Sequence, residues 1–210
     1  MRVIICCEGS TDVGPLTVFM KKCSCLNIEI DCRTRKDLRR EKILGSGFSK
    51  NILKNNDEIK RIASIRKLYH LVNKSGSKHI AYHQDADKKG FKETYKDIHN
   101  DFNNVLSPEI KRLAIVPKKM IESWLLADVK AINSLSGGSK VNQSPNPESL
   151  NDPKNHLNNN FEELGVENNP DTYAQIAENT DIDVLKTRCP ESFGQFYTDM
   201  QSFIIQENTP

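Results

Sequence analysis

Three groups of carboxylates stand where apolar runs stop. Glu8 follows "VIICC" (Val3–Cys7), with Gly9 next to it and Asp12 four residues later. Asp85 and Asp87 end "KHIAYHQDAD" and are followed by Gly90. Glu122 comes five residues after Pro117, which stops the run "KRLAIVP". Carboxylates brought together repel one another and lose water on burial, so positive charge must offset them. Hard oxygen ligands suit Mg²⁺ or Mn²⁺. Asp85 and Asp87, two residues apart, point the same way on a strand or turn and can reach one ion. Gly9 and Gly90 permit sharp turns and the close approach of a phosphate. The chemistry such a set suits is metal-assisted phosphodiester cleavage or phosphoryl transfer. Each part has a plainer reading alone: Glu8-Gly9 as a turn, Asp12 as a helix-start residue, "DADKKG" as a solvent turn or half a calcium loop.

The elements around these residues must bring them together. Val3–Cys7 reads as a buried parallel strand. Ser10 or Thr11 caps a helix through about Cys23, with Asp12 and Pro15 in its first turn. Leu26–Arg33 alternates and reads as a half-exposed strand. "GSGF" at Gly45–Phe48 is a break. Helical spacing predicts a long helix from Asn56 to Val72, its apolar face including Ile59, Ile62, Ile65, Leu68 and Val72. A strand leads into Asp85, and a helix from Lys92 to Val105 follows. Lys111–Pro117 is a further strand, and an apolar helix runs from Lys119 to Leu135.

This alternation predicts an α/β fold with a four-stranded, mostly parallel sheet flanked by helices. In such sheets functional groups collect at the carboxyl ends of the strands. The domain division is 1–135 as the catalytic or metal-binding unit and 136–154 as a Gly, Ser, Asn and Pro-rich linker. Residues 155–210 form a helical C-terminal extension packed on it, with segments at 155–164, 172–177, 183–187 and 191–205.

Composition narrows the class. The chain has 210 residues, 37% hydrophobic and 28% charged, enough for one medium core. No apolar run approaches the ~18 residues of a membrane span, and a signal peptide's zones are lacking, so a cytoplasmic protein is expected. Five of the six cysteines fall in the first 32 residues. Cys6-Cys7 suit small buried side chains, and Cys23-Ser24-Cys25 has no partner pair at zinc-finger spacing. The net charge of +2 conceals an asymmetry. Arg33–Lys67 holds 12 Lys/Arg against 4 Asp/Glu, whereas the chain from Val141 onward holds 3 against 12. The basic stretch supplies either phosphate contacts or a solvated face. Arg33, Arg35, Lys36, Arg39 and Arg40 are its nucleic-acid candidates, with Lys88 and Lys89 beside the second acidic loop. His83 reads as a packed strand residue and Trp124 as a core anchor.

"EGSTD" (Glu8–Asp12) and "DADKKG" (Asp85–Gly90) resemble the two motifs of the Toprim superfamily. That superfamily includes topoisomerases, DnaG-type primases and the overcoming-lysogenisation-defect (OLD) nucleases. "IVPKKMIESWLLAD" (Ile115–Asp128), "NDPKNHL" (Asn151–Leu157) and "DIDVLKTRCPESFGQF" (Asp181–Phe196) resemble small stand-alone Toprim proteins grouped as a domain of unknown function. The resemblance implies a Mg²⁺ or Mn²⁺ nuclease acting on DNA or RNA. Glu8 would lie at the reacting phosphate as metal ligand or general acid/base, and Asp85 and Asp87 would hold the ion. Asp12 matches a second acidic position, and Glu122 would complete the set. It also implies an ABC-type ATPase partner and a role in bacterial anti-phage defence, and a homo-oligomer is open. The other reading is a non-catalytic Mg²⁺- or phosphate-binding module, or a regulatory subunit of an ATPase-containing complex.

Overall fold

The computed structural model describes residues 1–24, 26–43, 58–86 and 89–205. Cys25, the break at Gly45–Phe48, Asp87, Lys88 and the expected helix start at Asn56 lie outside the described residues. Strands β1 (Arg2–Cys7), β2 (Glu29–Thr34), β3 (His79–His83) and β4 (Lys111–Ile115) form one all-parallel sheet in the order β2-β1-β3-β4. β1 pairs with β2 from Arg2–Glu29 to Cys7–Thr34, and Cys6 lies opposite Tyr82 of β3. A strand covered on both faces needs apolar side chains at every position, which explains the unalternating start. Val3, Ile5 and Cys7 point into one core, and Ile4 and Cys6 into the other.

On the second face lie α2 (Arg35–Arg40), α3 (Glu58–Lys74) and α4 (Phe91–Val105), through Leu38, Ile65, Leu68, Val72, Ile98 and Phe102. The first face is covered by α1 (Ser10–Ser24), α5 (Glu122–Leu125), α6 (Val129–Asn133) and α7 (Pro153–Leu164). It is completed by α8 (Pro170–Asn179), α9 (Ile182–Arg188) and α10 (Phe193–Ile205). Leu157, Phe161, Tyr173, Ile176, Phe193 and Phe196 from these later helices share one apolar cluster with Leu16 and Phe19 of α1 and with β1. Trp124 is fully buried there, against Phe19, Phe193 and Phe196, and its Nε1 donates to Ser192 Oγ at 2.8 Å. Among the described residues no helix is long and apolar enough to cross a membrane.

Several local expectations are corrected. The single helix expected from Lys119 to Leu135 is two short ones, α5 and α6. Asp128 breaks it: its backbone is extended, and its carboxylate accepts from Lys130 N at 2.9 Å and from Asp181 N at 3.0 Å. An N-cap side chain favours a helix start at that point over continuation. Ile59, counted on the apolar face of the long helix, is 81% exposed. α1 begins at Ser10, which puts Pro15 beyond the first turn. β2 begins at Glu29, after Leu26. α2 was not anticipated, although Thr34 and Asp37 form a reciprocal capping box whose sequence pattern was visible. The segment between α6 and α7 is tied down. Val141 exchanges two hydrogen bonds with Asn133, and buried Glu148 accepts from Ser192 N and Oγ.

Candidate functional site

The strand order places the acidic residues. The chain passes outward from β1 to β2, then returns to β3 on the other side of β1. The crevice beyond the carboxyl ends of β1 and β3 is therefore the topological switch point, where open α/β sheets bind ligands. Glu8 leaves β1 there, and Asp85 follows two residues after β3. Pairing continues past β3: Gln84 N donates to Ile115 O at 3.1 Å, and Ala86 N to Pro117 O at 3.1 Å. These two bonds hold Asp85 beside the exit of β4. Glu122 opens α5 after that exit and is buried.

Asp12, in the first turn of α1, turns back toward the strand. Its Oδ2 accepts from Gly9 N at 2.7 Å, closing the β1–α1 junction. The same oxygen lies 3.5 Å from Nδ1 of His83, whose Nε2 lies 3.3 Å from Asp85 Oδ1. His83 is wholly buried and so stands between two carboxylates that come from different connections of the sheet. Burial alone lowers its pKa, but Asp85, Asp12 and Glu8 outweigh burial and raise it to about 9. The shift favours the protonated, imidazolium form of the ring at neutral pH.

The carboxylates of Asp85 and Glu122 are also shifted upward, which for them favours the neutral form. Burial pushes Asp85 up from its ordinary value; His83 opposes this, and Glu8 and Asp12 add to it. Burial also raises Glu122, against a backbone hydrogen bond and the positive charge of Lys154, with Asp85 and Asp12 adding to the rise. Tyr173 of α8 donates from its hydroxyl to Glu122 Oε1 at 3.3 Å. Glu8, Asp12, Asp85 and Glu122 thus form one electrostatic neighbourhood, with His83 as its internal cation. Asp87 lies outside the described residues.

The remaining candidates fall around this edge. A Cβ at Gly9 would meet Asp12 Oδ2 at 3.4 Å, an ordinary contact, so the expected need for glycine in that turn is absent. Gly90 does meet it: its φ is 87°, a region that favours glycine, and it precedes α4. Cys7 pairs with Thr34, so α2, carrying Arg35, Lys36, Arg39 and Arg40, leaves the sheet at the same edge as Glu8. Arg33 is engaged inward with Asp31 at 2.8 Å and with Glu41 at 2.5 Å. Arg40 pairs with Asp37 at 3.3 Å, and Lys89 with Asp97 and Glu93 of α4. Arg33, which takes Asp31 from outside the basic stretch, and Arg61, paired with Asp101 at 3.0 Å, spend part of its surplus within the protein. Lys88 lies outside the described residues.

The donor set suits a hard cation in kind. Its described members are buried or half-buried oxygens whose mutual repulsion helps to raise Asp85 and Glu122, and a divalent ion would relieve that repulsion. Among the described residues, however, no three His, Cys, Asp or Glu side chains are arranged to hold one ion. The bridging place of His83, the hydroxyl of Tyr173 and the charge of Lys154 were not anticipated. His83 carried a signal, being two residues before Asp85 at a strand end and so on the same side of the chain. Tyr173 and Lys154 carried none, since they are remote from Glu122 in sequence. Comparison of the chain with known families, with curated proteins and with solved structures finds no match.

Proposed function

We propose that the protein is a Mg²⁺- or Mn²⁺-dependent nuclease of Toprim type that hydrolyses phosphodiesters in DNA or RNA. The observation that supports this best is the convergence of Glu8, Asp12, Asp85 and Glu122 beyond β1, β3 and β4, at the sheet's switch point. Asp85 and Glu8, with Asp12, Asp87 and Glu122 around them, would hold the metal. When bound, the ion supplies a lowered pKa for water and neutralises charge on the phosphate. Glu8 would take or return a proton at the reacting phosphate, the only one of the set carried directly on the end of β1. Asp12 holds the β1–α1 turn through Gly9 N and keeps His83 in place. The basic residues of α2, at the same edge, would receive the nucleic-acid backbone. An ABC-type ATPase partner and a place in anti-phage defence rest on the resemblance of the motifs.

One observation favours a second reading, a non-catalytic Mg²⁺- or phosphate-binding or regulatory subunit. His83 already lies against both Asp12 and Asp85, which gives the cluster one internal positive charge without an added ion. One experiment separates the two. Purified protein is incubated with plasmid DNA and with tRNA, in Mn²⁺ or Mg²⁺, beside Glu8→Gln and Asp85→Asn. Metal-dependent cleavage that falls about 100-fold or more in each variant is the expected result. Cleavage unchanged by both substitutions would mean a contaminant and would remove the site. Absence of cleavage with and without a co-purifying ATPase would favour the binding subunit.

A further inference from the structure

We infer that Tyr173 is a positioning residue for Glu122, so that the C-terminal helices complete the acidic site rather than only covering the sheet. The inference rests on the site proposed above. It starts from the contact of Tyr173 Oη with Glu122 Oε1 at 3.3 Å. Both residues are buried, with 1% and 5% of their surfaces exposed. In an apolar setting a phenylalanine would satisfy packing alone. A buried hydroxyl must find an acceptor, and here the acceptor is a member of the acidic cluster. The ring has little freedom, since Phe161 of α7 packs against it with centroids 5.9 Å apart. Its backbone lies in the first turns of α8, where Asn169 caps the helix by accepting from Thr172 N at 2.9 Å.

The approach of α8 is set by a glycine. A Cβ at Gly14 of α1 would lie 2.8 Å from the Cβ of Ala174, closer than real side chains come. The two helices can meet at this distance only because position 14 has no side chain. Gly14 is two residues from Asp12, and Ala174 is next to Tyr173. One helix contact therefore sets Asp12 and the hydroxyl that holds Glu122 in a common frame. Without that hydroxyl, Glu122 keeps its burial and its backbone hydrogen bond and loses the side-chain donor that fixes Oε1.

The test is a double-mutant cycle on the full chain, using Tyr173→Phe and Glu122→Met, the latter similar in size and without a carboxylate. Two quantities are read: unfolding stability in a chelator, and affinity for Mn²⁺ alone. Tyr173→Phe is expected to weaken Mn²⁺ binding about three- to tenfold, the worth of one net hydrogen bond. In the Glu122→Met background it should weaken binding no further, and the two substitutions should be non-additive in stability. A merely structural tyrosine would lower stability and leave Mn²⁺ affinity unchanged. Additive effects in stability would overturn the inference. Wild-type protein that takes up no Mn²⁺ would overturn the metal-dependent reading of the site, while the stability cycle would still decide whether Tyr173 holds Glu122.

Discussion

His83 is the residue whose role changes most between chain and fold. Read alone, it is one more side chain in an apolar strand. Folded, it is wholly buried with Asp12 and Asp85 at 3.5 and 3.3 Å. A buried imidazolium between carboxylates ties stability to pH. Its folded pKa of about 9 stands above the ordinary 6.5. Its stabilising contribution is therefore complete below about pH 6.5 and is lost as the pH rises through about 9. Such a shift is worth about 3 kcal/mol at most. Urea unfolding in chelator should show stability falling across that alkaline window, and His83→Asn should flatten the profile. A wild-type profile already flat there would show that the ring is neutral in the fold. Asp85 and Glu122 act on the acid side. Their raised pKa values make the ionised forms a cost, which is relieved as the pH falls through those values.

The strands and the long helices were legible as elements because their patterns are local. β1, β3 and β4 are short apolar runs ended by acidic residues or proline, and α3 and α4 repeat apolar residues at helical spacing. What failed was also local in cause. The single helix expected over Lys119–Leu135 is interrupted at Asp128, whose side chain competes with the backbone and restarts the helix. Its second partner, Asp181 N, comes from the far end of the chain. At this scale the contact of α1 with α8 is the most exposed to test. Gly14→Ala gains about 1 kcal/mol of helix propensity but drives a methyl group against Ala174. A net loss of about 1 kcal/mol or more is expected in chemical denaturation, with part of it restored by Ala174→Gly. A stabilised Gly14→Ala variant would mean that the helices can part without cost.

At the scale of the molecule, the first-face core is continuous from β1 to α10. Trp124 touches Phe193 and Phe196, and Lys22 of α1 donates to the carbonyls of Ala177, Glu178 and Thr180 at the end of α8. Cutting the chain after Leu135 would bare Leu16, Phe19, Ile5 and Trp124 together, a large apolar surface for one face of a sheet. The truncated protein is expected to be insoluble or to lack near-ultraviolet circular dichroism and dispersed NMR signals. A truncated chain with a native-like spectrum would show that the later helices are dispensable. The charge distribution also changes meaning at this scale. Arg33 and Arg61 count toward the basic surplus in the chain, yet each pairs in the fold with a carboxylate from outside that stretch, Asp31 and Asp101, so the surplus overstates the free positive surface.

Short-range chemistry in the sequence determined the elements and where carboxylates would stand on them. A buried strand must be apolar, and polar groups can resume only where it ends. Hence Glu8, Asp85 and Glu122 were legible as residues near strand ends. Which of them meet, and through what, depended on tertiary structure. The order β2-β1-β3-β4 sets Glu8 beside Asp85. The bridging of Asp12 and Asp85 by His83, and the hold of Tyr173 on Glu122, join positions far apart in the chain. No periodicity or spacing encodes such contacts, because they arise only when two faces of packed elements close on each other.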